Sequence, residues 1–211
     1  MPVFIGGMFK SGTSLARKYI GNHPKIFSGL ETNWFEFDKY FSGEKFDLNF
    51  KINVWSSFFK IDKDIIENII NSSDCSEEIL NKLMDLIINQ KGLKHWTDKS
   101  PPNIAYGERI FKYWKNAKII HIIRDPLDVY SSCKQAQKWD NPKLFVEKWS
   151  RIFENSNILK KNKNYLEIKY ESIILDKINS LEKMYKFCGL DWDQKYSNHI
   201  EDNYEYSFVK S

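Results

Sequence analysis

A glycine-rich stretch near the amino terminus has the residue types that bind an anion. Residues 7–14, GMFKSGTS, have the glycine spacing of a nucleotide P-loop, but Thr13 stands where a P-loop has its lysine. The lysine is instead Lys10, inside the loop, and residues 1–30 contain no Asp or Glu. Such a loop turns backbone N–H groups and a helix N-terminus toward one point, which suits a phosphate or sulfate. The predicted ligands are Lys10, Ser11, Gly12, Thr13 and Ser14. The alternative is an ordinary glycine-rich turn between a strand and a helix.

A second candidate anion site follows the apolar, β-branched run at residues 117–123. That run is typical of a central parallel strand, and it ends in Arg124. A strand that served a magnesium ion would end in a carboxylate, so an arginine favours an anion. Ser132 follows about two helical turns later, and we expect both residues to face one phosphate. Alternatively, Arg124 only pairs with a neighbouring aspartate, Asp125 or Asp128.

These two segments together resemble the sulfotransferases that use 3'-phosphoadenosine 5'-phosphosulfate (PAPS). That family has a loop with Lys followed by Gly-Thr-Ser/Thr, as at residues 10–14, and an Arg-Asp-Pro-x-Asp-x-x-x-Ser segment, as at residues 124–132. The resemblance runs from about residue 2 to residue 190. It implies that the loop holds the 5'-phosphosulfate, and that Arg124 and Ser132 hold the 3'-phosphate. It also implies that Tyr170, in a Tyr-Glu pair, contacts the nucleotide, although a tyrosine there fits a core position equally well.

The resemblance also implies the catalytic residues. Lys99, in a Lys-Ser-Pro segment, resembles the second active-site lysine of the family and would stabilise the sulfuryl oxygens. One branch of the family has a His base two residues later, where this chain has Pro101. The role of general base therefore passes to Glu31, with His95 as a weaker substitute. Alternatively, Glu31 is a residue of a first helical turn that interacts favourably with the helix dipole, and Lys99 is a solvated surface lysine.

Alternating strand and helix patterns predict the elements that position these residues. Short strands are expected near residues 3–5, 25–27, 117–123 and 165–171, with another that runs into a proline turn within residues 95–103. Helices are expected at 62–72, 76–90, 103–115, 142–160 and 178–187. We expect one α/β domain over residues 1–211. It would be a three-layer αβα architecture with a central parallel sheet, the P-loop NTPase-like sulfotransferase fold. Residues 36–92 would form a helical and aromatic insertion that shapes the acceptor site.

Composition restricts the remaining function classes. The 211 residues carry a net charge of +4, which fits an anionic ligand without requiring nucleic acid. Three isolated cysteines fit neither a disulfide framework nor a zinc site, and no apolar run reaches 18 residues. We therefore expect a cytoplasmic protein with no membrane span and no metal. The oligomeric state is open.

The predicted reaction is transfer of a sulfuryl group from PAPS to a hydroxyl or amine, with 3',5'-adenosine bisphosphate as the product. Two alternatives remain, a P-loop-type kinase and a catalytically silent nucleotide-binding module. The second is motivated by residues 191–211, which lack the late Arg-Lys-Gly loop that covers the 3'-phosphate in many family members and have Lys210 as the only lysine near the end. The acceptor itself cannot be inferred from the sequence.

Overall fold

A single parallel sheet of five strands forms the centre of the molecule, in the order β2-β3-β1-β4-β5. The computed structural model describes residues 1–29, 31–36, 48–136 and 141–197. The strands are β1 Pro2–Gly7, β2 Ile26–Ser28, β3 His95–Lys99, β4 Lys118–Ile123 and β5 Tyr165–Lys169. All four strand pairings are parallel, which confirms the predicted sheet.

Helices connect successive strands, as parallel pairing requires. They are α1 Thr13–Gly21, α2 Leu48–Phe59, α3 Lys63–Asn71, α4 Ser76–Gln90, α5 Gly107–Tyr113, α6 Pro126–Gln135, α7 Pro142–Leu159, α8 Tyr170–Leu175 and α9 Lys177–Phe187. The chain also forms the 3₁₀ helices Pro101–Tyr106 and Gln194–Ser197 and a 3₁₀ segment at residues 34–36.

The apolar residues of the strands alternate between two cores, one on each face of the sheet. Phe4 of β1 packs with Trp96 and Trp114 on one face. Its neighbours Val3 and Ile5 pack on the other face, against the helix α9 residues Leu181, Met184 and Tyr185. Because successive side chains in a strand point to opposite faces, both faces must be covered by helices. The structure thus confirms the three-layer αβα fold.

Element boundaries follow the predictions closely, with two informative differences. The helix predicted over residues 103–115 begins as the 3₁₀ helix Pro101–Tyr106, and α5 starts only at Gly107. Pro101 and Pro102 open this turn, where their missing N–H groups would have no helical partner in any case. The strand predicted to include Tyr170 ends at Lys169, and Tyr170 starts α8.

The predicted insertion is described only in part. Residues 37–47 lie outside the described residues, whereas α2, α3 and α4 contribute to the first core. Trp34 stacks on Trp55 of α2 with ring centroids 4.8 Å apart. The aromatic residues described in this region are therefore largely core residues, and a role of the insertion in acceptor binding remains a prediction.

Candidate functional site

The predicted site residues lie in a row at one edge of the sheet. Each of the five strands is followed, or ended, by one of them. In the order of the sheet these are Glu31 after β2, Lys99 at the end of β3, residues 10–14 after β1, Arg124 after β4 and Tyr170 after β5. Neighbouring strands lie about 4.8 Å apart, so the row spans roughly 20 Å. Parallel α/β sheets bind ligands at this edge.

The loop after β1 has a backbone that only a few residue types tolerate. Gly7 ends β1, and a Cβ there would overlap the carbonyl oxygen of Ile122 on the neighbouring strand β4. Gly12 has a φ of 98° and Lys10 a φ of 66°, both in the left-handed region. Gly12 is the N-cap of α1, where no side chain makes a capping hydrogen bond and no acidic residue occupies the first turn. The first-turn N–H groups therefore suit an anion.

Arg124 connects the two predicted anion sites. Its Nη1 donates to the Lys10 carbonyl oxygen at 3.0 Å, and its guanidinium lies 4.5 Å from the centre of the Tyr170 ring. The Tyr170 ring in turn lies against Gly12, where a Cβ would overlap it. The contact between Arg124 and Asp128 is loose, at 3.8 Å, and Asp128 is exposed. Arg124 is thus held at the loop, and pairing with Asp128 does not account for its position.

Two buried polar atoms beside the loop lack partners within the described chain. They are Ser11 Oγ and Arg124 Nε, and both residues line one cleft of about 750 Å³. Buried polar atoms are normally hydrogen-bonded, so the pair fits a ligand rich in oxygen atoms, such as the phosphosulfate and phosphate groups of PAPS. Ser132 lies on α6 one turn beyond Asp128, on the helix side that Arg124 reaches, but it does not line this cleft. Thr13 is buried and Ser14 is exposed.

The two remaining predicted catalytic residues form an ion pair. Lys99 Nζ donates to Glu31 Oε2 across 68 residues of sequence. The Lys99 side chain is 4% exposed and the Glu31 side chain 30%. Lys99 is therefore buried, not solvated, and Glu31 presents its carboxylate at the rim of the strand edge. His95 begins β3, at the opposite edge of the sheet from Lys99, which separates it from this site.

A fully buried aspartate that sequence reasoning missed holds this pair in place. Asp98 Oδ1 accepts hydrogen bonds from Thr32 N at 3.2 Å and Thr32 Oγ1 at 2.6 Å, and Asp98 Oδ2 accepts from Asn103 Nδ2 at 2.9 Å. Burial raises the pKa of Asp98, against the opposing effect of these donors. The available signal was an Asp inside a buried strand next to Lys99, since strands are depleted in Asp.

We expect Asp98→Ala to destabilise the fold and to weaken catalysis. The substitution leaves the buried donors of Thr32 and Asn103 without an acceptor, at a cost on the order of 3 kcal/mol in the free energy of unfolding. It also releases the segment that carries Glu31. Urea unfolding and kcat measure the two effects, and Asp98→Asn is a milder comparison of similar shape. An Asp98→Ala protein with wild-type stability would contradict this role.

The deep end of the cleft is closed by a polar network between β4 and β5. His121 Nδ1 lies 2.6 Å from the Tyr165 hydroxyl, which donates to Glu167 Oε1 at 3.0 Å. Lys160 Nζ lies 3.2 Å from Glu167 Oε2. Hydrogen bonding to His121, together with Tyr165 and Lys160, lowers the pKa of Glu167 to about 2 despite burial. Burial lowers the pKa of His121 against the opposing effect of Glu167, which favours the neutral ring.

The Glu167 network predicts a loss of stability in acid. The pKa of Glu167 is lower in the folded chain than its ordinary value of 4.5, so the ionised carboxylate stabilises the fold. That contribution is complete above pH 4.5 and is lost as the pH falls toward about 2. We expect the difference in unfolding free energy between wild type and Glu167→Gln to be constant from about pH 6 to 8 and to shrink below pH 4.5. Urea titrations across this range measure it, and a difference that does not change with pH would contradict the assignment.

The comparisons with known proteins agree with the fold and the motifs. Residues 2–194 match the model of the Sulfotransferase family. The chain is 20% identical to a protein-tyrosine sulfotransferase of Drosophila melanogaster, over 94% of this chain but only 40% of that protein. It therefore spans less than half the length of that curated relative.

Solved structures share the architecture. The sulfotransferase domain of the Synechococcus PCC 7002 olefin synthase superposes with a TM-score of 0.72 at 21% identity, covering 93% of this chain and 76% of that domain. A mouse sulfotransferase complexed with PAP, the product nucleotide, superposes with a TM-score of 0.54 at 21% identity. The match covers 92% of this chain and 61% of that one. Within the described residues, no helix is long and apolar enough to cross a membrane. Since the family match extends over residues 2–194, the chain belongs to the sulfotransferase family.

Proposed function

We propose that this chain transfers a sulfuryl group from PAPS to a hydroxyl or amine. The observation that carries the proposal is the contact between Arg124 and the Lys10 carbonyl, which joins the two anion-binding elements into one site. PAPS carries negative charge at both its 5'-phosphosulfate and its 3'-phosphate, so it requires two such elements side by side. Family membership and the PAP-bound mouse structure support the choice of nucleotide.

Each residue has a chemical task in this proposal. Lys10 and the N–H groups and hydroxyls of residues 11–14 hold the 5'-phosphosulfate, and Arg124 and Ser132 hold the 3'-phosphate, with Tyr170 beside the nucleotide. The bond between sulfur and the bridging phosphate oxygen breaks, and a new bond forms between sulfur and the acceptor atom. Glu31 takes the proton from the acceptor, Lys10 neutralises the leaving phosphate oxygen, and Lys99 stabilises the sulfuryl oxygens.

The ion pair between Glu31 and Lys99 suits both tasks. Lys99 is buried, and the carboxylate compensates its charge in a site of low dielectric. Glu31 is partly exposed, so one carboxylate oxygen is open to an acceptor that approaches from solvent. Glu31 follows β2 and Lys99 ends β3, so both lie on the opposite side of the loop from Arg124. An acceptor activated there attacks sulfur from the side away from the nucleotide.

A sulfate-transfer assay distinguishes this function from the two alternatives. The chain is mixed with PAPS and a panel of phenols, alcohols, amines and tyrosine peptides, with and without EDTA, and in parallel with ATP and Mg²⁺. We expect sulfated product from PAPS that does not depend on Mg²⁺. Phosphoryl transfer from ATP would favour the kinase, and tight binding of 3',5'-adenosine bisphosphate without turnover on any acceptor would favour the silent module.

A reducing, cytoplasmic setting is also part of the proposal. Cys75, Cys133 and Cys188 are free thiols, and the last two are buried. Free buried thiols are typical of proteins in reducing compartments. Burial raises the pKa of Cys188 to about 12, which keeps it an unreactive thiol. Fractionation of the producing cells tests this placement, and recovery of the protein outside the cytoplasm would contradict it.

A further inference from the structure

Arg17 places a charged group at a helix position where the burial pattern favours an apolar side chain. It lies on α1 and is 6% exposed. Ala16 and Ile20, on the same face of the helix, are fully buried in the core. Burying a guanidinium is costly unless its N–H groups are hydrogen-bonded, so we expect an arginine here to have a specific task. The inference below depends on the proposed function, because it concerns the base of that reaction.

The guanidinium of Arg17 reaches from α1 to the chain that leaves β2. Its Nη1 donates to the carbonyl oxygen of Gly29 at 2.9 Å, in a buried contact. Gly29 directly follows β2 and stands two residues before Glu31. Arg17 therefore holds the backbone on the amino-terminal side of the proposed base.

Contacts with β3 hold the backbone on the other side of Glu31. The carboxylate of Asp98 accepts a hydrogen bond from Thr32 N at 3.2 Å, and Ser100 Oγ accepts one from Asn33 N at 2.9 Å. Both acceptors lie on β3 or directly after it, so they fix the segment to the sheet. The contact from α1 ties the same segment to the helix. The base thus stands between two points of attachment.

Helix α1 also carries the proposed phosphosulfate ligands. Gly12 is its N-cap and Thr13 its first residue, and Arg17 follows about one turn later, roughly 6 Å along the axis. A helix is stiff over this length, so the contact with Gly29 fixes the Glu31 segment relative to the loop. This distance matters for catalysis, because a misplacement of about 1 Å can cost about 10²-fold in rate.

We infer that Arg17 is a positioning residue for sulfuryl transfer. Through its hydrogen bond to the Gly29 carbonyl, it sets the distance between the base Glu31 and the sulfur held at the loop. Its task does not require contact with the nucleotide or the acceptor. The inference therefore predicts that a side chain without a donor at position 17 loosens the Glu31 segment and slows turnover, while the nucleotide still binds.

The first test is the hydrogen exchange of the Thr32 and Asn33 amides, measured residue by residue by NMR. Arg17→Met has an unbranched apolar side chain and no donor, and we expect both amides to exchange at least about tenfold faster than in wild type. Tyr185→Phe is the matched control, because it removes a buried hydroxyl that donates to the Tyr19 carbonyl on the same helix. It should leave both amides unchanged. Equal exchange rates in the two variants would overturn the inference.

The second test separates positioning from nucleotide binding, at a temperature where thermal unfolding shows every variant to be folded. We expect kcat to fall about 10- to 10²-fold in Arg17→Met, while the Kd for 3',5'-adenosine bisphosphate stays within about threefold of wild type. Arg17→Lys retains a donor, so its kcat should lie between those of wild type and Arg17→Met. An unchanged kcat in Arg17→Met, a loss of nucleotide affinity as large as the loss of kcat, or no recovery in Arg17→Lys would contradict the assignment.

The exchange measurement separates the failure of this inference from the failure of the proposed function, because it needs neither PAPS nor an acceptor. If wild type binds the nucleotide but sulfates no acceptor, the proposed function fails, and the exchange rates alone decide whether Arg17 holds the Glu31 segment. If wild type transfers sulfate and both amides exchange at the wild-type rate in Arg17→Met, the proposed function stands and the inference is wrong.

Discussion

Replacing Lys10 by alanine is expected to lower kcat for sulfuryl transfer by about 10²- to 10³-fold, the loss typical of removing one preorganised electrostatic group from a transition state. The leaving group is a phosphate whose bridging oxygen gains negative charge as its bond to sulfur breaks. Lys10 projects from the loop that holds this group, and no acidic side chain of the described chain pairs with it. The ammonium is therefore available to the leaving oxygen.

We expect the substitution to leave the stability of the fold nearly unchanged. Lys10 is exposed, so its side chain contributes little packing, and its left-handed backbone is set by the loop. Lys183→Ala is the matched control, because Lys183 is an exposed lysine on α9, away from the strand edge. Initial rates with saturating PAPS and thermal unfolding of the three proteins are the measurements. Unchanged turnover in Lys10→Ala would remove Lys10 from the mechanism.

The second large effect is expected for Glu31→Gln. Glutamine keeps the shape of the side chain but cannot take a proton from the acceptor, so kcat should fall by about 10²- to 10⁴-fold. Binding of 3',5'-adenosine bisphosphate should change little, since Glu31 lies on the β2 side of the sheet and the nucleotide residues lie at β1, β4 and β5. Some loss of stability is also expected, because the buried Lys99 loses its charged partner.

Stability and turnover together distinguish a base from a counter-ion. If Glu31 only neutralises Lys99, Glu31→Gln lowers the unfolding temperature but leaves kcat within a few-fold of wild type at a temperature where both are folded. Glu36→Gln serves as the control, because Glu36 is an exposed carboxylate in the same segment. A variant that folds, binds the nucleotide and turns over at the wild-type rate would exclude Glu31 as the base.

The features that could be predicted from the sequence were those whose residues lie close together along the chain. The loop at residues 7–14 and the segment at Arg124 each carry their chemistry within a few residues. Parallel pairing brings their strand ends together, since β1 lies beside β4. The pairing of Glu31 with Lys99 was not predictable in detail, but each residue was identifiable at a strand end.

The features that sequence reasoning missed depend on distant residues. Asp98 acts through Thr32 and Asn103, and only the folded chain shows that its carboxylate is fully buried between them. The cleft likewise forms from the loop, two strands and α7, and no local sequence pattern predicts it. In the sequence, His121 stands inside an apolar strand and has no evident polar partner. The structure shows that it lies opposite Glu167 in the register of β4 and β5, which gives it a polar environment. Packing of this kind depends on tertiary contacts, which local patterns do not encode.

The most direct test of the account compares two nucleotides by calorimetry, 3',5'-adenosine bisphosphate and 5'-AMP, which differ only in the 3'-phosphate. The account predicts that wild type binds the bisphosphate at least about tenfold more tightly, because Arg124 makes charge-assisted hydrogen bonds to that group. Arg124→Ala should lose most of this preference while its weaker binding of 5'-AMP persists. Equal affinity of wild type for the two nucleotides would show that the loop and Arg124 do not share one ligand, and would contradict the central claim.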